Sequence, residues 1–238
     1  MQVWLCPLLA FLLGSIPFGL IIAKSKGVNI RDHGSGNIGA TNVLRVIGKK
    51  SGISCLLLDA LKGFIPVMLA VNLIQIAGKH GGLLHLGGLD SFALVLPAAE
   101  QFKGQFVHVL TALAAVLGHN YSPWVGFKGG KGIATSAGVL LALMPAGIVL
   151  LAVVWLIVFA FSRYVSLASI VAAAALPLIT IYGSWFHGRI ADGTWNKPLF
   201  CFTLVIAILA IWKHQTNIQR LIAGTEHRFT RKAKSTHV

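Results

Sequence analysis

Charged side chains are scarce in this chain. They make up 11% of its 238 residues, against about a quarter in a soluble domain. With so little polar surface the chain has no means of dissolving as a globule. Its 56% hydrophobic content and mean hydropathy of +0.79 predict an integral membrane protein of one domain, residues 1–238. Carboxylates are scarcer still, six against twenty Lys and Arg. No carboxylate pair and no His/Cys cluster falls at ligand spacing, so no metal and no cofactor are expected. The three cysteines, Cys6, Cys55 and Cys201, lie in apolar runs and read as inert. A net charge of +14 in a soluble protein would suggest nucleic acid. In an apolar chain the positive-inside bias accounts for it, and no nucleic-acid partner is expected. The first apolar segment lacks a basic n-region and a clear cleavage site, so it reads as a retained span rather than a signal peptide.

Apolar runs long enough to cross a bilayer fall at about 3–23, 53–77, 106–120, 164–183 and 198–212. The run from about 133 to 161 would exceed 40 Å as one helix, roughly 1.5 Å per residue, which is too long for an upright span. Met144-Pro145-Ala146-Gly147 sits in its middle and predicts a break. The expectation is therefore an all-α integral membrane protein with seven transmembrane helices. Charge sets its orientation. With the N-terminus outside and the C-terminus cytoplasmic, fifteen cations fall inside: Lys24, Lys26, Arg31, Arg45, Lys49, Lys50, Lys128, Lys131, Arg163, Lys213, Arg220, Arg228, Arg231, Lys232 and Lys234. Lys79, Lys103, Arg189 and Lys197 fall outside, and Lys62 lies near the start of a span. Six spans would divide the cations almost evenly, so the bias favours seven.

This topology gathers the unusual polar residues on one face, in four regions at about 24–52, 118–136, 162–169 and 213–238. A cytoplasmic-face active site built from loops is expected there. In the first region, Gly34, Gly36 and Gly39 permit close backbone approach, and successive N–H groups can form a nest for phosphate. Ser35, Asn37, Thr41 and Asn42 add neutral donors, and Arg45 a charge suited to bidentate phosphate contact. A flexible glycine loop with one membrane-flanking arginine is the plain alternative. Gly34 to Gly39 also spells G-x-G-x-x-G, but a dinucleotide fingerprint needs a strand before it and a βαβ unit around it. Here a membrane span precedes and apolar helices follow.

Lys128-Gly129-Gly130-Lys131-Gly132 forms a second glycine-lysine cradle. It is not a Walker A loop, since Val125 stands where the first glycine belongs and Gly132 follows Lys131. An anion there would meet a helix N-terminus as well as lysine; a basic juxtamembrane turn is the bland alternative. Two cradles suggest two phosphate-bearing substrates, or one that moves. Arg163 either snorkels or holds an anion together with Ser166 and Ser169 one and two turns on. His214 and Asn217 share a helix face with Arg220. Glu226 is the only carboxylate of the tail, and His119 borders the second cradle. Asp59 and Lys62, at i, i+3, can pair and face inward, a structural rather than catalytic role.

These stretches together resemble a known family. "GSIPFG" at 14–19, "GSGNIGATNVLR" at 34–45, "LDALKGFIPV" at 58–67, "GHNYSPWVGFKGGKGIAT" at 118–135, "SRYVSLASI" at 162–170 and "HQTNIQRLIAGTEHR" at 214–228 are similar to the bacterial acyl-phosphate:glycerol-3-phosphate acyltransferases of the inner membrane. The likeness runs through nearly the whole chain and is weakest at about 78–105 and 184–197. It implies a multi-pass protein of the bacterial cell inner membrane. It also implies transfer of an acyl group from acyl phosphate to the 1-hydroxyl of glycerol 3-phosphate, giving 1-acylglycerol 3-phosphate and phosphate in phospholipid biosynthesis. Carried over residue by residue, Ser35, Arg45, Lys131, His214 and Asn217 are the expected catalytic set. Gly34, Gly36, Asn37, Gly39, Thr41, Asn42, Gly129, Gly130, Arg163, Ser166 and Ser169 are the expected substrate-binding set. His85…Asp90 and His187…Asp192 have the H-x-x-x-x-D spacing of a different acyltransferase class, but fall in outer loops and read as coincidences. The rival class is a transporter or flippase for an anionic lipid or organic phosphate. It should carry polar residues on both faces, and the outer face has no matching motif.

Overall fold

A computed structural model describes residues 2–79 and 83–229. The tail cations Arg231, Lys232 and Lys234 lie outside the described residues. Ten α-helices follow in order among those described: α1 Gln2–Gly14, α2 Phe18–Lys24, α3 Ala40–Val46, α4 Lys49–Leu73, α5 Gln101–Asn120, α6 Ile133–Leu143, α7 Pro145–Ser162, α8 Val165–Phe186, α9 Lys197–Lys213 and α10 Gln215–Ile222. Most of each segment expected to span is helical. Four helical stretches are long and apolar enough to cross a bilayer: Val3–Lys24 taken across its break, α4, α7 and α8. A fifth is α9 taken with α10, the two bent by 54°. α6, with 11 residues, is about 16 Å long, shorter than the roughly 20 residues of a full lipid-facing span. α5 has the length but carries Gln101, Lys103, Gln105 and His108 in its first turns.

The structure revises two boundaries. The run expected as one span at 3–23 breaks at Ser15-Ile16-Pro17 before α2 resumes. Pro17 lacks an N–H and, at φ −89° and ψ 69°, leaves the helical region, so the ladder stops there and restarts in α2. The run expected to end at 77 leaves the helix at Leu73. Ile74–Ile76 (β1) instead pairs in parallel with Leu94–Leu96 (β2), so the chain is not purely helical. The β-branched Ile74, Ile76 and Val95 suit this extended pairing. Asn72 anchors the segment that follows, donating to the Leu84 carbonyl and accepting from the Leu86 N–H. The break at Met144 falls where the sequence placed it.

Close approach between helices depends on missing side chains, as expected where lipid supplies no hydrophobic drive. At Gly63 a Cβ would overlap the Thr135 carbonyl, and at Gly138 the Ala60 carbonyl, so α4 and α6 touch backbone to backbone. One core runs through α1, α4, α5, α6, α7, α8 and α9, centred on Val67, Ala112, Val116, Val139 and Leu176. A smaller cluster of Ala23, Ile30, Ile38, Val43 and Cys55 seats the first loop on α4.

Candidate active site

Between α3, α4, α6, α7, α8, α9 and α10 lies a cavity of about 730 Å³. One end is polar, lined by Ser35, Asn37, Arg45, Lys131, Ser166, His214, Asn217 and Glu226. The rest is lined by apolar side chains such as Leu140, Leu151, Trp155, Leu176 and Ile206.

The first loop is built around Asn42, which is 1% exposed. Its Nδ2 donates to the carbonyls of Asn37 (2.9 Å), His33 (3.0 Å) and Ile30 (3.3 Å), and its Oδ1 accepts the Ser35 N–H (2.9 Å). Gly36 N–H donates to the His33 carbonyl and Gly39 N–H to Asn37 Oδ1. The backbone nest expected here is thus closed: three of its N–H groups are already used inside the loop. Gly34 and Gly36, at φ of 60° and 68°, shape the turn and do not line the cavity. Ser35, Asn37, Gly39, Thr41, Asn42 and Arg45 do. Arg45 stacks on Phe229, 5.1 Å from the ring centre, and its Nη2 donates to the His227 carbonyl at 3.4 Å. Burial pushes its guanidinium below the ordinary value, though it stays a cation.

The second loop docks on the end of α5. Gly129 N–H donates to the Asn120 carbonyl and Gly130 N–H to the His119 carbonyl. A side chain at Gly130 would collide with the His119 imidazole. Gly129 and Gly130 therefore allow close approach and leave the cavity wall to Lys131 and Gly132. Arg31 ties the two loops together, its Nη2 donating to the Lys128 carbonyl at 2.7 Å. Lys131 turns inward and donates to Asn217 Oδ1. Burial is the main cause that lowers its ammonium to about 8; Glu226 opposes the shift, and Arg220 and Arg45 add to it.

The remaining side chains come from α8, α9 and the tail. His214 Nδ1 lies 2.7 Å from the Ala210 carbonyl, which can only accept. Nδ1 therefore carries a proton, and in the neutral ring Nε2 is left as an acceptor. Glu226, a residue not placed in the site from sequence, is its organiser. It accepts from Asn217 Nδ2 (2.7 Å), Ser166 Oγ (2.9 Å) and Arg220 Nε (2.8 Å). Burial alone would raise its carboxyl, but these three hydrogen bonds outweigh it and hold the group below the usual carboxylate range. Its standing as the sole carboxylate in a basic tail was the available signal. Ser169 donates to the Val165 carbonyl and faces Trp155 Nε1 at 3.2 Å. Arg163 is exposed and does not line the cavity; it closes α7 at φ 64°, and its carbonyl accepts the Phe229 N–H.

Asp59 and Lys62 pair at 2.7 Å, as their spacing suggested. Lys62 Nζ also donates to the Ile16 carbonyl at 2.7 Å, holding the break between α1 and α2. Asp59 Oδ1 and His119 Nδ1 lie 3.6 Å apart, and both residues reach the cavity wall. His85 and Asp90 do meet, at 3.1 Å, but in the segment joining the far ends of α4 and α5.

Residues 4–224 match the family model described as "Glycerol-3-phosphate acyltransferase". The chain is 46% identical over 220 residues to a glycerol-3-phosphate acyltransferase of Geobacter metallireducens, covering 92% of this chain and 94% of that one. It is 42% identical to that of Aquifex aeolicus, covering 92% and 95%. The fold matches two crystal structures of PlsY, described as an integral membrane glycerol 3-phosphate acyltransferase, at 39% identity and over 97% of this chain and 96% of that one. The TM-score is 0.77 for its glycerol 3-phosphate form and 0.75 for its lysophosphatidic acid form. The chain therefore belongs to the glycerol-3-phosphate acyltransferase family of multi-pass membrane enzymes.

Proposed function

We propose that the protein transfers an acyl group from acyl phosphate to the 1-hydroxyl of glycerol 3-phosphate, an entry step of phospholipid synthesis. The C1 hydroxyl oxygen attacks the acyl carbonyl, the carbonyl–phosphate bond breaks, and the hydroxyl proton leaves with phosphate. The observation that carries this reading is one cavity with a basic, hydrogen-bonding end and a long apolar remainder. The first suits two phosphate compounds and the second an acyl chain.

Arg45, Lys131, His214 and Asn217 are assigned to the glycerol 3-phosphate. Their side chains line one end of the cavity, and Asn217 is held against Lys131 by Glu226. The donor phosphate is assigned to Ser35, Asn37, Gly39, Thr41 and the start of α3, with Gly34, Gly36 and Asn42 fixing that loop. Ser166 and Ser169 line the wall between the polar end and the acyl chain, while Gly129 and Gly130 place Lys131. An acyl phosphate is already activated, because phosphate leaves readily. Positioning and charge stabilisation then suffice, with a substrate phosphate taking the hydroxyl proton and no side chain becoming acylated.

The same reading gives the protein seven spans, an outer N-terminus and a cytoplasmic site in the bacterial inner membrane. The cation asymmetry of the loops supports it. The test is purified protein in detergent with acyl phosphate and labelled glycerol 3-phosphate. Labelled 1-acylglycerol 3-phosphate and one phosphate per turnover are expected. Product from acyl-CoA but not from acyl phosphate would reject the donor, and a trapped acyl-enzyme would reject direct transfer. A reporter fused to the C-terminus should be active only on the cytoplasmic side.

A further inference from the structure

The apolar part of the cavity runs down to residues of the main core. From the polar end, α8 descends from Ser166 to Leu176, about 15 Å at the helical rise, and α9 descends from His214 to Ile206, about 12 Å. α6 descends from Ile133 to Leu140, about 10 Å, and α7 lines the same wall from Phe159 to Ile148, about 16 Å. All of these residues line the one cavity. At the bottom, Leu140, Leu176 and Ile206 are 4%, 2% and 3% exposed and belong to the main core. The α6–α7 break lies just past them, where Thr180 packs on Met144. Above them the walls carry small side chains, Ala137, Ala172 and Ala173, which leave the shaft open.

We propose that Leu140, Leu176 and Ile206 form a floor that sets the longest acyl chain the enzyme handles well, with Ala173 setting the width of the shaft above it. This rests on the acyl-transfer reading and adds a length limit to it. A chain that reaches the floor meets close-packed core. Extra methylenes must overpack that core or bend sideways toward lipid past the exposed Leu56 and Leu156. Overpacking a core costs roughly 1–3 kcal/mol, which corresponds to about 5- to 150-fold in rate. Chains that end above the floor escape this penalty.

The experiment compares kcat/KM for dodecanoyl and hexadecanoyl phosphate within one preparation of each variant, so that yield and stability cancel in the ratio. Leu176→Ala should shift the ratio toward hexadecanoyl phosphate by about tenfold, and Ala173→Phe should shift it about as far toward dodecanoyl phosphate. Leu176→Val and Ala173→Leu serve in the same way, with smaller shifts, where the larger changes prevent folding. Active variants with the parent ratio would overturn the proposal, since the chain would then run sideways into lipid. No product from any acyl phosphate with the parent enzyme would overturn the acyl-transfer reading, and the length limit with it.

Discussion

Asn217 stands between the two opposite charges of the site: its Oδ1 accepts from Lys131 Nζ, and its Nδ2 donates to Glu226 Oε1 at 2.7 Å. Lys131 and Asn217 are 86 residues apart in sequence. An amide suits this bridge, because its oxygen accepts and its nitrogen donates. Asn217→Ala leaves both charges short of a partner, and hydrogen bonds to charged groups are worth roughly 1.5–3 kcal/mol each. A loss of about 10- to 100-fold in kcat/KM for glycerol 3-phosphate is expected. Asn217→Asp sets a second carboxylate against Glu226 and should be worse. Steady-state kinetics of both variants, with the order reversed, would refute the bridging role.

Lys131 predicts the alkaline limit. Its ammonium is lowered to about 8, so the cation is present below that pH and lost as pH rises through it. Glycerol 3-phosphate affinity should fall on the alkaline side, with KM rising about tenfold per pH unit once the amine is neutral. Lys131→Arg keeps its charge to far higher pH. Its KM should be poorer near neutrality, because the fork differs from a point charge, yet flat across pH 7 to 10. A parent-like alkaline limb in that variant would assign the limit to another group.

Glu226 predicts acid sensitivity. Its carboxyl titrates below the ordinary range in the folded protein. The stability it contributes is complete above the unfolded carboxylate value and is lost as pH falls through the lower folded value. Thermal unfolding should therefore move to lower temperature only on the acid side of the ordinary carboxylate range. Glu226→Gln retains an acceptor for one or two of the three donors. Glu226→Ala leaves Asn217, Ser166 and Arg220 unpaired, and should cost more, about 2–4 kcal/mol. Arg220 is partly exposed, so solvent screens part of that loss.

The sequence made the helices and the types of the polar residues legible, but not their directions. Long apolar runs located the long helices but not α3 or α10, which are short and partly polar, and the over-long run located the break at Met144. Proline alone was no guide: Pro7, Pro66 and Pro177 lie inside helices, whereas Pro17 follows a helix end. In the first loop, glycines and amides pointed to a cradle. Which N–H groups stay free depends on where Asn42 aims, and that is set by packing of Val43 and Ile30 beneath it. Glu226 was visible as a lone carboxylate, but its partner Ser166 lies 60 residues away. Arg163 and Ser166 are neighbours in sequence, yet a left-handed turn at Arg163 separates their side chains.

Asn42 itself gives a further prediction. Asn42→Ala removes the donor to the loop carbonyls and the acceptor for Ser35 N–H. At a buried site this should cost about 2–4 kcal/mol of local order, since several backbone groups lose partners together. KM for acyl phosphate should rise more than KM for glycerol 3-phosphate, because the loop sits on the donor side of the proposed site. Equal rises for both substrates would reject that division of roles.

The buried pair of Asp59 and Lys62 should show strong non-additivity. Their side chains are 3% and 4% exposed, and Lys62 also holds the Ile16 carbonyl at the α1–α2 break. Lys62→Met leaves the buried Asp59 carboxylate with only the Cys55 thiol at 3.7 Å and His119 Nδ1 at 3.6 Å, and breaking such a pair from one side costs about 3–5 kcal/mol. Asp59→Asn strands the ammonium less severely, because the Ile16 carbonyl remains as a partner. The double variant Asp59→Asn with Lys62→Met removes both charges and should recover much of the loss of Lys62→Met alone. It should not reach parent stability, since the Ile16 carbonyl stays without its donor. Unfolding in detergent, followed through a double-mutant cycle, measures the coupling directly. Additive losses would mean that the pair contributes no interaction of its own, and that Lys62 acts through the α1–α2 break alone.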